Sequence, residues 1–370
     1  MADFNNEMTI KTLAQLLKHQ LEHLWTHPAL SQDIPPLMIW GAPGLGKSMV
    51  VRDLAAEYGV GFIDVRLAQR EPVDIRGLPV PKENGVEWIV AAEWPRDPQS
   101  KGIILFDELT AADRSLQVAA YELILDRRLG HLYQVPNGWY ICAAGNRSGD
   151  RAVTTSMSSA LANRFMHVEL KEDAESWTEW AVATGIHPSV VAFIRFRPAL
   201  LFAQKNENLE RGWPTPRSWA RVGAMIDKYG HMDDALRRAV VHGLVGNAAG
   251  VEFLAFHAMS RQFDDVLAIM RDPKHALNIP SQTDQKYAFC AALVYHLWRG
   301  TSPDDAQARM DGFFRIGMKL SSDFAAMAMM DAMHSTKDAA TRIHRHPRFE
   351  AWSKLHGAAF RRSFAIAVPE

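Results

Sequence analysis

The sequence predicts an α/β fold, a parallel sheet flanked by helices, followed by two successive all-helical regions. Three observations carry this. A short apolar run at 36–40 leads into a glycine-rich turn and then into a helical stretch from Met49. Four consecutive apolar residues at 103–106 end in Asp107-Glu108, as expected of a strand covered on both faces. From Lys171 onward the strand signals stop and helical periodicities follow one another. The predicted division is residues 1–170 (α/β), 171–270 (helical) and 271–370 (a C-terminal helical extension).

Residues 9–25 predict an amphipathic helix, with Thr9 as N-cap and Ile10, Leu13, Leu17, Leu21 and Leu24 on one face. After the first strand comes Gly41-Ala42-Pro43-Gly44-Leu45-Gly46-Lys47-Ser48, spelled G-x-x-x-x-G-K-[ST] and opening into a helix at Met49. Glycines let backbone N–H groups crowd around a polyphosphate, and the new helix turns its positive end toward it. In this pattern Lys47 reaches the β- and γ-phosphates of a nucleotide and the Ser48 hydroxyl sits on Mg²⁺. A nucleotide with Mg²⁺ is therefore the expected ligand, held by residues 41–49.

Gly59 is placed to cap that helix, and residues 61–67 read as a second strand. Pro72, Pro79, Pro81, Pro95 and Pro98 break up the next segment, within which residues 77–90 predict a hairpin turning at Glu83-Asn84-Gly85. At the end of the following strand, Asp107 is placed to hold Mg²⁺ through water and Glu108 to take a proton from attacking water. Residues 112–126 are helical by period. A second hairpin is predicted, with arms 129–135 and 139–144 around Pro136-Asn137-Gly138, its second arm being another central strand. Asn146 then falls at the same sheet edge as Glu108, placed to orient water or touch the γ-phosphate. A short helix at 158–165 precedes the last strand, 166–170, and carries Arg164, a candidate arginine finger or else a structural ion-pair partner. Helices are expected at 177–184, 188–196, 217–229, 232–245, 251–259, 284–298, 304–316, 322–334 and 349–360, with a loop at 272–281.

Net charge is −1, so no global field draws the chain to nucleic acid or to an anionic membrane. The two cysteines, Cys142 and Cys290, make no disulfide scaffold. The start of the sequence shows no targeting pattern and no apolar run reaches membrane-spanning length, so a soluble cytoplasmic protein is expected.

Taken together, these residues resemble an AAA+ ATPase, in particular its MoxR-type branch, over about residues 34–225. Residues 41–48 resemble Walker A, 103–108 Walker B and Asn146 sensor 1. Arg164 in Leu-Ala-Asn-Arg-Phe resembles the arginine finger, and Arg217 in Thr-Pro-Arg-Ser-Trp resembles sensor 2 at the start of a lid helix. The hairpins near 77–95 and 129–144 resemble the two insertions that define the branch. The resemblance implies a ring, usually a hexamer, with ATP between neighbours. It also implies that Arg164 acts on the next copy's nucleotide and Arg217 on the same chain's. It further implies remodelling of a client protein together with a separate protein carrying a von Willebrand factor A domain.

The competing reading is a nucleic-acid-directed AAA+ motor or loader. Near-neutral charge argues against it, although residues 342–362 hold six Arg or Lys against one Glu. A small-molecule kinase leaves Asn146, Arg164 and Arg217 without a purpose. His344 and His346 stand two apart and point to different helix faces, so no metal site is expected there.

Overall fold

Alternation of short apolar runs with helical stretches produces a six-stranded parallel sheet in the computed structural model, which describes residues 6–147, 149–150, 155–203, 211–228, 232–261, 265–336 and 338–367. The strands are β1 Glu7–Met8, β2 Leu37–Trp40, β3 Gly61–Arg66, β4 Leu78–Lys82, β5 Gly85–Ile89, β6 Lys101–Asp107, β7 Arg128–Leu129, β8 Tyr133–Gln134, β9 Gly138–Gly145 and β10 Met166–Leu170. The sheet runs β1-β10-β2-β9-β6-β3, and every neighbouring pair in it is parallel. Contacts divide the chain into residues 1–172 and 173–370.

In the first unit the helices are α1 Ile10–Thr26, α2 Lys47–Tyr58, α3 Pro72–Arg76, α4 Arg114–Leu125 and α5 Ser159–Ala162. Thr9 caps α1, its hydroxyl accepting from the Thr12 N–H, and Leu13, Leu17, Leu21 and Leu24 are fully buried along one stripe. The opposite core gathers Trp94, Phe106, Leu116, Leu123, Ile141 and Phe165. Both sheet faces are thus covered, which is why β6 and β9 read as unbroken apolar runs.

Strands β4 and β5 form the expected antiparallel hairpin, closed at Lys82 and Gly85 around Glu83-Asn84. The second hairpin is smaller than the sequence predicts. Its arms are β7 and β8, and β9 instead pairs in parallel with β2 and β6. All eight positions of β9 are buried, a pattern that needs a covered neighbour on both sides, whereas an exposed hairpin arm would alternate. Strand β1, two residues long, pairs with β10 at the sheet edge and has no counterpart in the sequence reading.

Gly145 ends β9 where a Cβ would lie 2.6 Å from Met38 Cε and 2.7 Å from Thr110 Cγ2. Gly145→Ala should therefore destabilise the domain by about 1–3 kcal/mol, read as a lowered thermal midpoint. An unchanged midpoint would show that Met38 and Thr110 yield freely.

The second unit contains α6 Ala174–Ala183, α7 Pro188–Phe196, α8 Pro216–Lys228, α9 Asp234–Val245, α10 Asn247–Arg261, α11 Asp265–Arg271, α12 Thr283–Leu297, α13 Pro303–Gly317, α14 Ser322–His334, α15 Ala339–His344 and α16 Phe349–Ala367. One core packs Phe193, Trp219, Phe253 and Phe256; another packs Phe289, Phe313, Phe314, Met329 and Trp352. Helix α12 supplies Ala288 and Ala291 to the first and Phe289, Leu293 and Leu297 to the second, so the two cores share a helix. His346 stacks on Phe314 and bonds Asp311 at 3.0 Å. Cys142 and Cys290 are free and buried, and burial pushes both thiols up. Among the described residues no helix is long and apolar enough to cross a membrane.

Candidate nucleotide site

Three strand ends stand level at one edge of the sheet. Register pairs Trp40 with Gly145 and Phe106 with Ala143, so residues 41–48, Asp107-Glu108 and Asn146 all leave the sheet together. This is the carboxyl edge, where parallel α/β sheets bind ligands.

Gly46 closes the loop at φ +100° and serves as N-cap of α2, a conformation that a side chain would strain. The turn buries Ala42, Leu45 and Lys47, leaves Pro43 and Ser48 half-buried, and leaves Met49 exposed on α2. The Lys47 ammonium donates to the carbonyls of Gly41 (2.5 Å) and Ala42 (3.1 Å) and to Asn146 Oδ1 (3.1 Å). Ser48 Oγ donates to Asp107 Oδ2. The other oxygen of Asp107 accepts from the Glu108 N–H at 2.9 Å. Lys47, Ser48, Asp107 and Asn146 therefore meet, and Glu108 stands beside them, exposed, with φ +57°.

Asn146 is held from two sides. Its N–H donates to Thr110 Oγ1 at 3.0 Å. The next residue, Arg147, pairs with the buried Asp150 at 3.0 Å and also with Glu169 of β10. Burial works against the Arg147 charge, but the hydrogen bonds to Asp150 and Glu169 outweigh it and raise the guanidinium above its ordinary value. Arg147 is thus a positioning residue that sequence reasoning missed. Its partner Glu169 lies on another strand, and only the sheet order β10-β2-β9 shows that the two approach.

Arg164 lies elsewhere. Met166 pairs with Leu37, the first residue of β2, so Arg164 sits near the strand starts, at the end of the sheet opposite the glycine-rich loop. It is exposed and pairs with no described carboxylate. Its short helix is capped by Ser158 and tied to α4 by a 2.7 Å bond from Tyr121 Oη to Ser158 Oγ. His167 accepts from the Trp40 indole at Nδ1 (2.9 Å) and so carries its proton on Nε2, which donates to the Ala162 carbonyl (2.7 Å). Arg217 belongs to the second unit, exposed in the first turn of α8, where Thr215 Oγ1 accepts from the Ser218 N–H at 3.0 Å.

The donor set suits a magnesium nucleotide. A serine hydroxyl and an aspartate oxygen in contact are hard oxygen donors, and the ammonium beside them matches a phosphate.

A family model described as AAA domain (dynein-related subfamily) matches residues 36–165. Midasin of Giardia intestinalis is 24% identical over 169 residues, which is 43% of this chain but only 4% of that much longer protein. Among solved structures, a Cytophaga hutchinsonii protein assigned provisionally as an ATPase is 14% identical, with 94% of each chain covered and a TM-score of 0.31. NtrX from Brucella abortus, in complex with ADP, is 16% identical, covers 95% of this chain and 69% of its own, and has a TM-score of 0.35. Superposition at that level says nothing further about the site. The family match starts one residue before β2 and stops one residue after Arg164, which is the stretch that carries the level strand ends and their ligands. That stretch matches the model of an AAA domain.

Proposed function

We propose that this chain hydrolyses ATP as a ring-forming, MoxR-type AAA+ motor that remodels a client protein, working with a separate von Willebrand factor A-type partner. The observation that carries the hydrolytic part is the meeting of Lys47, Ser48, Asp107 and Asn146 at one sheet edge while Arg164 stands at the other. A single copy then holds a loop, an acid and an asparagine around a triphosphate, and keeps its own arginine out of reach of them.

In this reading the N–H groups of residues 41–49 bind the phosphates and the Lys47 ammonium exchanges carbonyl contacts for β- and γ-oxygens. Ser48 and Asp107 would hold Mg²⁺, which when bound neutralises charge on the phosphates. Asn146 orients the attacking water, and the Glu108 carboxylate takes its proton. Arg164 of the adjacent copy stabilises the charge that develops on the transferred phosphoryl group, and Arg217 engages the γ-phosphate from the lid of the same chain.

The six cations of the basic stretch at 342–362 are all exposed, and some of them also have partners within the chain. Arg342 lies 4.9 Å over the Trp298 ring, Arg348 donates to the Asp311 carbonyl, and Lys354 pairs with Glu350 at 2.7 Å. The net charge of −1 favours a protein client over nucleic acid. Because each site needs a neighbour's arginine, turnover per subunit should rise with protein concentration by more than about tenfold, in step with the appearance of larger species by light scattering. Constant specific activity down to the monomer would sink the shared-site reading.

A further inference from the structure

We propose that the cavity beside Arg164 is an oxyanion site that holds a phosphate group between the Arg127 and Arg164 guanidinium groups. The cavity, about 210 Å³, opens at the strand-start end of the sheet and has Asp33, Pro35, Arg127, Ile141 and Arg164 among its walls. One water needs only about 10–15 Å³ of such space, so a tetrahedral ion with part of its hydration shell fits.

Arg127 makes this more than a surface dimple. It is 5% exposed, yet no described carboxylate pairs with it. Its Nη2 donates to the carbonyls of Pro136 (3.0 Å) and Trp139 (2.7 Å), while its Nε is buried with no partner. Buried charges are ordinarily paired, because an unpaired one costs several kcal/mol. The guanidinium registers that cost: burial pushes it down to about 10, against a smaller opposing effect of the Tyr133 phenol. The backbone is strained as well. Arg127 has φ +54°, where a glycine is favoured after a helix, and only Glu108 shares this trait among the described non-glycine residues.

Asp33, the carboxylate on that wall, pairs with neither arginine, and Ile124, Leu125 and Ile141 lower the local dielectric around them. Two arginines lining a partly apolar cavity supply the planar, multi-donor chemistry that phosphate favours. The phosphate has two possible sources: the free ion, or the terminal phosphate of a nucleotide held by an adjacent copy. The site itself does not require the ring.

The test uses full-length Lys47→Ala protein, so that the glycine-rich loop does not dominate phosphate binding, at constant ionic strength balanced with chloride. Inorganic phosphate should raise its thermal midpoint saturably by about 3 °C, and adding Arg164→Ala should abolish that rise. Arg164 is exposed and pairs with no described carboxylate, so the double variant should fold as its parent does. Arg127→Lys keeps the charge but loses the fork of donors, and should weaken phosphate binding about tenfold. No rise in the Lys47→Ala protein, or an equal rise with and without Arg164, overturns the proposal. A second arm separates the sources. Phosphate that slows wild-type turnover at saturating ATP, and slows Arg127→Lys turnover less, competes with a neighbour's nucleotide for the pocket. A saturable rise without that slowing assigns the pocket to the free ion.

Discussion

A Glu108→Gln protein is expected to bind ATP as tightly as wild type and to turn it over about 10²–10⁴ times more slowly. Glutamine keeps the length and the hydrogen-bonding reach of the side chain and removes its capacity to accept a proton. Glu108 is exposed and φ +57° already strains its backbone, a cost that glutamine bears equally, so stability should change little. The Asp107 contacts to Ser48 and to the residue-108 N–H do not involve the altered atoms. Nucleotide binding by fluorescence titration and phosphate release in the steady state would separate the two effects. Turnover within about threefold of wild type would remove Glu108 as the base. The same variant, stalled with ATP, is the natural bait with which to test for the proposed client and the proposed von Willebrand factor A-type partner.

The second large effect is complementation. Arg164→Ala alone should lose about 10³–10⁵ in turnover, because an arginine supplied from a neighbour stabilises transition-state charge. Lys47→Ala alone should fail at nucleotide binding, since its ammonium is the cation at the heart of the site. Mixed in equal amounts, random assembly pairs an intact loop with an intact neighbouring arginine at about one interface in four. The mixture should therefore recover up to about a quarter of wild-type turnover, where each variant alone shows almost none. An inactive mixture at every ratio would mean that Arg164 serves its own chain or none, against its place at the far end of the sheet.

Local chemistry made the loop legible. Strand, glycine turn and helix are contiguous in the chain, and the alternatives for Gly41 to Ser48 are few. The acidic pair was legible for a related reason, since an apolar run before two carboxylates marks a covered strand reaching its functional end. What escaped depends on partners distant in sequence. The sheet order placed β10 between β1 and β2, and only that order brings Glu169 to Arg147. The second hairpin was misjudged because Pro136-Asn137-Gly138 is good turn chemistry wherever it stands. Whether the chain then folds back or runs on into a parallel strand is decided by the neighbours of β9, which a turn sequence does not encode. Helix α3 was hidden among prolines, although Glu71 and Asp74 form a capping box around Pro72. Nothing in Asp126-Arg127-Arg128 marks the middle residue; its burial is a property of the finished fold.

The bond from Trp40 to His167 has a mechanical side. The indole sits one residue before Gly41, and the imidazole hands on to the Ala162 carbonyl, two residues before Arg164. Indole, imidazole and peptide are three rigid plates with few soft torsions between them. The residue before the glycine-rich loop and the turn that carries Arg164 are therefore tied by two side-chain hydrogen bonds through one imidazole, and not by the backbone alone.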